Sequence, residues 1–303
     1  MPYSNLLFNS GGRLRSGWRV VIFVIAYLFV LRAFRSAVRL MLLFTFGRSL
    51  TGYSSVVVQA LILLASAILV GWACGRVLED LPLRALGWAL HRRWWRDFLI
   101  GSLLGAASLG VTAGIAAALG GLRFASSQAG SFAILNTLAS TALLFIIAAA
   151  AERITYLGYP FQTLLRAHLA WIAILLSSIF FAWAHLGNPN VAPGFTFINT
   201  TLAGVWFGIA YLRTRSLWFP LGLHWAWNWT QGALLGVPVS GNTRLIPAPL
   251  LHATDAGPAW LTGGAYGMEG GAACTVAIIL STIFIWRTRL INATEEMKRF
   301  TEK

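Results

Sequence analysis

Long apolar runs separated by short polar connectors recur along the 303-residue chain. Runs that approach a ~30 Å hydrocarbon core, at about 17–25 helical residues each, fall at 17–40, 54–75, 98–120, 132–152, 168–185, 195–212, 217–235 and 271–287. They predict an all-α fold, a polytopic membrane helix bundle of about eight transmembrane helices. Residues 1–303 read as a single integral membrane domain with its active site in the bundle core. The first run is irregular. Twelve apolar residues separate Arg19 from Arg32, about 18 Å of helix, so the arginines snorkel or the helix continues past Arg35 and Arg39. No small-residue cleavage pattern follows this run, which is therefore read as a membrane anchor and not as a signal peptide.

Composition agrees with the pattern. Hydrophobic residues make up 57% of the chain and charged residues 11%, against about 25% charged in soluble domains. The net charge of +14 has no soluble basic domain to carry it, which excludes nucleic acid as a partner and leaves topology as its explanation. With N and C termini cytoplasmic in a cell or inner membrane, most of the 23 basic residues fall inside, and Arg32, Arg35, Arg39, Arg48, Arg123 and Arg244 fall outside. Residues 290–303, ending in Lys303, read as a solvated cytoplasmic tail. Cys74 and Cys274 sit in apolar segments without C-x-x-C spacing or a lipidation box, and are expected to be buried thiols. WLTGGAYGMEGG lacks the G-K-[ST] ending of a phosphate loop and is expected to be a flexible lead into the last helix.

Ionisable groups within a bilayer cost about 2.5–3.5 kcal/mol each, so their positions select candidates. Of nine acidic residues, Glu79, Asp80 and Asp97 are assigned to a loop, Asp255 and Glu269 to another, and Glu295, Glu296 and Glu302 to the tail. Only Glu152 adjoins an apolar span in this reading. Among five histidines, His185 and His224 are embedded in apolar sequence. Phe181 and His185 are four residues apart and share a helical face, as do His224 and Asn228. Each histidine alone fits a hydrogen bond between helices equally well. Trp225, Trp227 and Trp229 read as packing and interfacial residues. A carboxylate, two imidazoles and a carboxamide from three helices, however, form a set that can activate water, orient it and stabilise an oxyanion.

The three motifs, in this order, resemble those of the CAAX prenyl protease and bacteriocin-processing family of intramembrane endopeptidases, the CPBP, Abi or type II CAAX family. The family pattern is E-E-x-x-x-R, F-x-x-x-H and H-x-x-x-N/D. Here FAWAH spans Phe181 to His185 and HWAWN spans His224 to Asn228. The first motif reads ERITYLGYPFQ, with Glu152 at the first glutamate, Arg153 in place of the second and Leu157 in place of the arginine. The resemblance is specific for residues 135–235. It implies Glu152 as general base, His185 as its partner, and His224 with Asn228 as oxyanion groups, with Arg153, Tyr156 and Phe181 supporting the site. A metal-free glutamate mechanism and a zinc site using His185 and His224 both stay open, although no H-E-x-x-H spacing is present.

The expectation is a hydrolase cutting a membrane-associated or prenylated, CAAX-type substrate at or within the cytoplasmic leaflet. The alternative is a catalytically inactive relative that binds membrane peptides or acts as a scaffold, because two of the three charged positions in the first motif have changed. A proton-coupled transporter would need further intramembrane acids and repeat-like halves, neither of which the sequence shows. Substrate identity and oligomeric state are not encoded in these motifs.

Overall fold

The computed structural model describes residues 4–9, 11–47, 49–242 and 245–301. Arg48, Arg244, Glu302 and Lys303, which entered the charge assignment, lie outside them. After a short turn α1 (Ser4–Leu7), the bundle comprises α2 (Ser16–Phe46), α3 (Gly52–Glu79), α4 (Trp94–Ala118), α5 (Ser131–Leu157), α6 (Tyr159–Arg166), α7 (Ala170–His185), α8 (Pro193–Thr214) and α9 (Trp218–Trp229). A short α10 (Ala259–Thr262), then α11 (Ala272–Arg287) and α12 (Glu295–Thr301), complete the chain. Strands β1 (Leu122–Ser126) and β2 (Leu251–Asp255) pair antiparallel, with Leu122 opposite Asp255.

Each of the eight apolar runs is helical. Five helical stretches are long and apolar enough to cross a membrane: Ser16–Phe46, Gly52–Glu79, Trp94–Ala118, Ser131–Arg166 and Gly194–Thr214. Ala170–His185 and Ala272–Arg287 are apolar but shorter, each about 24 Å of helix, so the count of eight spans is not reached by length. The protein is a multi-pass membrane helix bundle. Helix α2 runs unbroken to Phe46, which places Arg32, Arg35 and Arg39 within the helix and not in a loop. The chain continues the helix because no Gly or Pro occurs between Arg19 and Gly47, whose left-handed conformation (φ 65°) caps its end.

Two clusters of contacts define opposite faces. On the face of the chain ends, Glu79 bonds Arg19 at 2.7 Å and Arg166 at 2.8 and 3.1 Å, tying α2, α3 and α6 together. Glu79 thus closes α3 as a buried residue and is not a loop acid, because two guanidinium groups compensate its charge. Asp97 likewise lies in the first turn of α4. On the same face Arg84 stacks on Phe300 of α12, and Arg213 donates to Thr288 O and Ile291 O. The opposite face carries the two strands and the loops around Asn188, residues 236–242 and residues 245–271.

The closest helix pair is α4 with α9, and glycine makes it possible. A Cβ on Gly101 would lie 2.3 Å from Phe219 O, one on Gly105 2.3 Å from Leu223 O, and one on Gly222 2.2 Å from Phe98 O. The run GSLLG from Gly101 to Gly105 therefore works as a small-xxx-small surface on which α9 lies backbone to backbone. From the other side, Trp225 and Trp229 donate their indole N–H groups to Ala142 O and Leu138 O of α5, each at 3.0 Å. Trp227 is buried edge-on against Trp206. The three tryptophans pack α9 in place. Helix α9 is fixed on both flanks.

Candidate active site

Helices α5, α7 and α9 bring the predicted residues together. Glu152, Arg153 and Tyr156 come from α5, Phe181 and His185 from α7, and His224 and Asn228 from α9. Glu152 Oε2 lies 3.7 Å from His224 Nε2, and Asn228 Nδ2 lies 3.1 Å from the same nitrogen. Spacing of four residues stacks the imidazole and the amide on one face of α9, as the sequence requires.

Phe181 is the hub. Its carbonyl oxygen is 2.7 Å from His185 Nδ1. A carbonyl only accepts, so Nδ1 carries the proton and the lone pair of the neutral ring is on Nε2. The Phe181 ring meets His185 at 4.4 Å, Tyr156 at 5.2 Å and His224 at 6.4 Å between centroids. The phenylalanine of the F-x-x-x-H spacing thus sets both the tautomer and the packing of its histidine.

Arg153 is wholly buried, with its guanidinium 3.7 Å from the Phe207 ring centroid and 4.8 Å from that of Phe181. Cation–π contact compensates part of its desolvation. Its remaining charge partner is Glu152, at 3.6 Å between Nη2 and Oε2, beyond good hydrogen-bond length. The contact biases Glu152 without occupying the whole carboxylate, whose side chain remains 30% exposed.

Two cavities meet at this site. The larger, of about 440 Å³, is lined by Glu152, His185, Asn228, Tyr27 and Arg35. Its walls include Val56, Asn188 and Leu245, so it rises from Glu152 toward the face opposite the chain ends. The smaller, of about 40 Å³, is lined by His185, His224, Asn228 and Glu269 and has room for about one to three waters. The tight turn Val239–Asn242 separates them, with Ser240 facing both.

Glu269 was assigned to a loop by sequence and is instead enclosed within the site. Its Oε2 accepts the Ser240 N–H at 2.6 Å and Gln231 Nε2 at 3.3 Å, and Ser240 Oγ lies 3.3 Å from both carboxylate oxygens. Gln231 belongs to the π-helical turn Thr230–Leu234 that follows α9. Burial pushes the Glu269 carboxyl above its ordinary value, opposed by the Ser240 N–H, His185 and Gln231. The glycine-rich lead is a packed cradle and not a flexible tether. A Cβ on Gly267 (φ 102°) would meet Pro238 O at 2.0 Å, and Tyr266 and Met268 are buried. Asn199 fixes the cradle by donating to Glu269 O and Gly271 O at 2.8 and 2.9 Å. A single acid among five glycines in GGAYGMEGG was the signal for it, because so many glycines in one run mark close backbone packing.

The donor set for a zinc ion is incomplete here. His185 keeps its Nε2 lone pair free, but His224 Nε2 is committed to the Asn228 amide. Among the described residues, no three His, Cys, Asp or Glu side chains are placed to hold one ion. No step below passes through a metal.

Residues 134–230 match the family model described as Rce1-like, type II CAAX prenyl endopeptidase. The core of the chain is similar to that family. The matched segment runs from α5 into the π turn after α9 and includes Glu152, His185, His224 and Asn228. Glu269 and helices α2 to α4 lie outside the match. A comparison with curated proteins gave no match.

Proposed function

We propose that the protein is an intramembrane endopeptidase in which Glu152 activates water. The observation that carries this reading is the convergence of Glu152, His185 and Asn228 on one open cavity, with His224 3.7 Å from Glu152. Glu152 takes a proton from water as the oxygen attacks the scissile carbonyl, and the Asn228 amide, one N–H of which is held by His224 Nε2, stabilises the resulting oxyanion with its other N–H. Collapse of the tetrahedral intermediate breaks the C–N bond, and the proton passes from Glu152 to the leaving amine. His185, with its Nε2 lone pair toward the cavity, holds the attacking water in line. The substrate is a membrane-associated peptide or protein, with a prenylated CAAX-type C-terminus as the form suggested by the family's description.

Cytoplasmic termini and cleavage in the cytoplasmic leaflet do not hold together, because the cavity rises toward the face opposite the chain ends. We retain cytoplasmic termini, which rest on the arginine excess. The scissile bond is then reached from the other face. A cysteine placed at Gln128 and labelled by an impermeant maleimide outside intact cells supports this orientation, and labelling of the tail instead overturns it.

The contact of Arg153 with Glu152 favours a second reading, a relative that binds membrane peptides without cutting them. A quenched peptide ending in an S-farnesyl CAAX sequence separates the two. Cleavage by the purified protein, with product masses that locate one scissile bond, supports the endopeptidase. Saturable binding without product supports the binding protein. Under the first reading Arg153→Met, which removes the charge and keeps much of the volume, alters kcat while the protein stays folded.

A further inference from the structure

Glu269 has no cation in ion-pair range among the described residues, although it is largely enclosed. An isolated buried carboxylate is costly, so its placement calls for a cause. Its hydrogen bonds do not supply one. A glutamine could accept the Ser240 and Gln231 donors with its amide oxygen and offer its N–H group to Ser240 Oγ. What glutamine could not supply is charge beside His185 and His224 in the 40 Å³ cavity.

We propose that Glu269 is a second acidic member of the site, a positioning residue that holds the wall turn and places negative charge behind the imidazoles, across from Glu152. The proposal rests on the endopeptidase reading. Ser240 has a left-handed backbone (φ 48°), followed by Gly241 (φ 82°), which gives the two central residues of a tight hairpin turn closed by Val239 N–H to Asn242 O and Asn242 N–H to Val239 O. A serine is strained there, and the Glu269 carboxylate binds both its N–H and its hydroxyl. The same carboxylate reaches through Gln231 to the turn that ends α9. It therefore ties the cavity wall to the helix bearing His224 and Asn228. A fixed negative group beside the imidazoles raises their hydrogen-bond basicity, so that His185 Nε2 holds the attacking water and His224 Nε2 holds the Asn228 amide more firmly as the oxyanion forms.

The test is steady-state cleavage of the S-farnesyl CAAX peptide by the full-length protein and its variants. Glu269→Gln preserves the hydrogen bonds and is expected to lower kcat about tenfold or more with KM within about twofold. Ser240→Ala removes a clamp bond and keeps the charge, and is expected to stay within about threefold of wild type. Turnover of Glu269→Gln within about twofold of wild type, or equal losses in both variants, overturns the proposal. Should Glu269→Gln not fold, Glu269→Ala serves with added formate or formamide. Rescue by formate alone supports the charge, whereas rescue by both or by neither overturns it. Glu152→Gln run in parallel separates the two levels: a wild type that does not cleave sinks both readings, and cleavage that requires Glu152 but ignores Glu269 sinks only this one.

Discussion

Gly105 offers the sharpest test of how the fold positions the site. A methyl group at this position would sit 2.3 Å from Leu223 O and 3.0 Å from Leu223 Cα. Ordinary C···O contacts begin at about 3.3 Å, so Gly105→Ala requires α9 to retreat by about 1 Å. His224 is the next residue after Leu223, and a shift of that size at a reacting group costs about 100-fold in rate. Overpacking of this kind also destabilises by about 1–3 kcal/mol. Gly110→Ala and Gly114→Ala on the same helix are the controls, because a Cβ there meets nothing within 4 Å. Their stability should be unchanged or raised by up to about 1 kcal/mol, the helix propensity difference. Thermal unfolding in detergent and peptide cleavage would be measured for all three. Wild-type turnover and stability in Gly105→Ala would refute the claim that backbone contact on α4 sets the position of His224.

Two further predictions follow from buried charge. Because burial raises the Glu269 carboxyl above its unfolded value, its ionisation costs stability, which is fully present at low pH and lost as pH rises through the folded value. The melting temperature of wild type relative to Glu269→Gln should therefore fall as pH rises from below about 4.5, and a gap independent of pH would contradict the assignment. Glu79→Gln leaves Arg19 and Arg166 buried without their anion, and is expected to cost about 3–5 kcal/mol. A change in melting temperature of less than 2 °C would show that the cluster is solvated.

Much of this was legible in the sequence. The apolar runs gave α2 to α5, α7 to α9 and α11, though not α6 (Tyr159–Arg166), and spacing of four residues identified both histidine motifs, since the helical period fixes which side chains share a face. The twelve-residue gap between Arg19 and Arg32 was resolved in favour of a longer helix, because no breaker occurs before Gly47. Less legible were Glu79 and Glu269. Both lie beside connectors and look solvated until partners distant in the chain are known: Arg166 for one, and Ser240 with Gln231 for the other. Gly101, Gly105 and Gly222 were equally silent, because their meaning depends on which helix lies opposite. Arg153 read only as a residue supporting the site, whereas its surroundings are two aromatic faces and Glu152, contributed by helices that the local sequence does not reveal.

The central claim is that Glu152 is the water-activating base. Its most direct test is the single-turnover rate of S-farnesyl CAAX peptide cleavage in ¹⁸O-labelled water, with wild type and Glu152→Gln compared by product mass. The account predicts one labelled oxygen in the new carboxyl group made by wild type, and a rate at least about 1,000-fold lower for Glu152→Gln. Equal rates in the two proteins would contradict it.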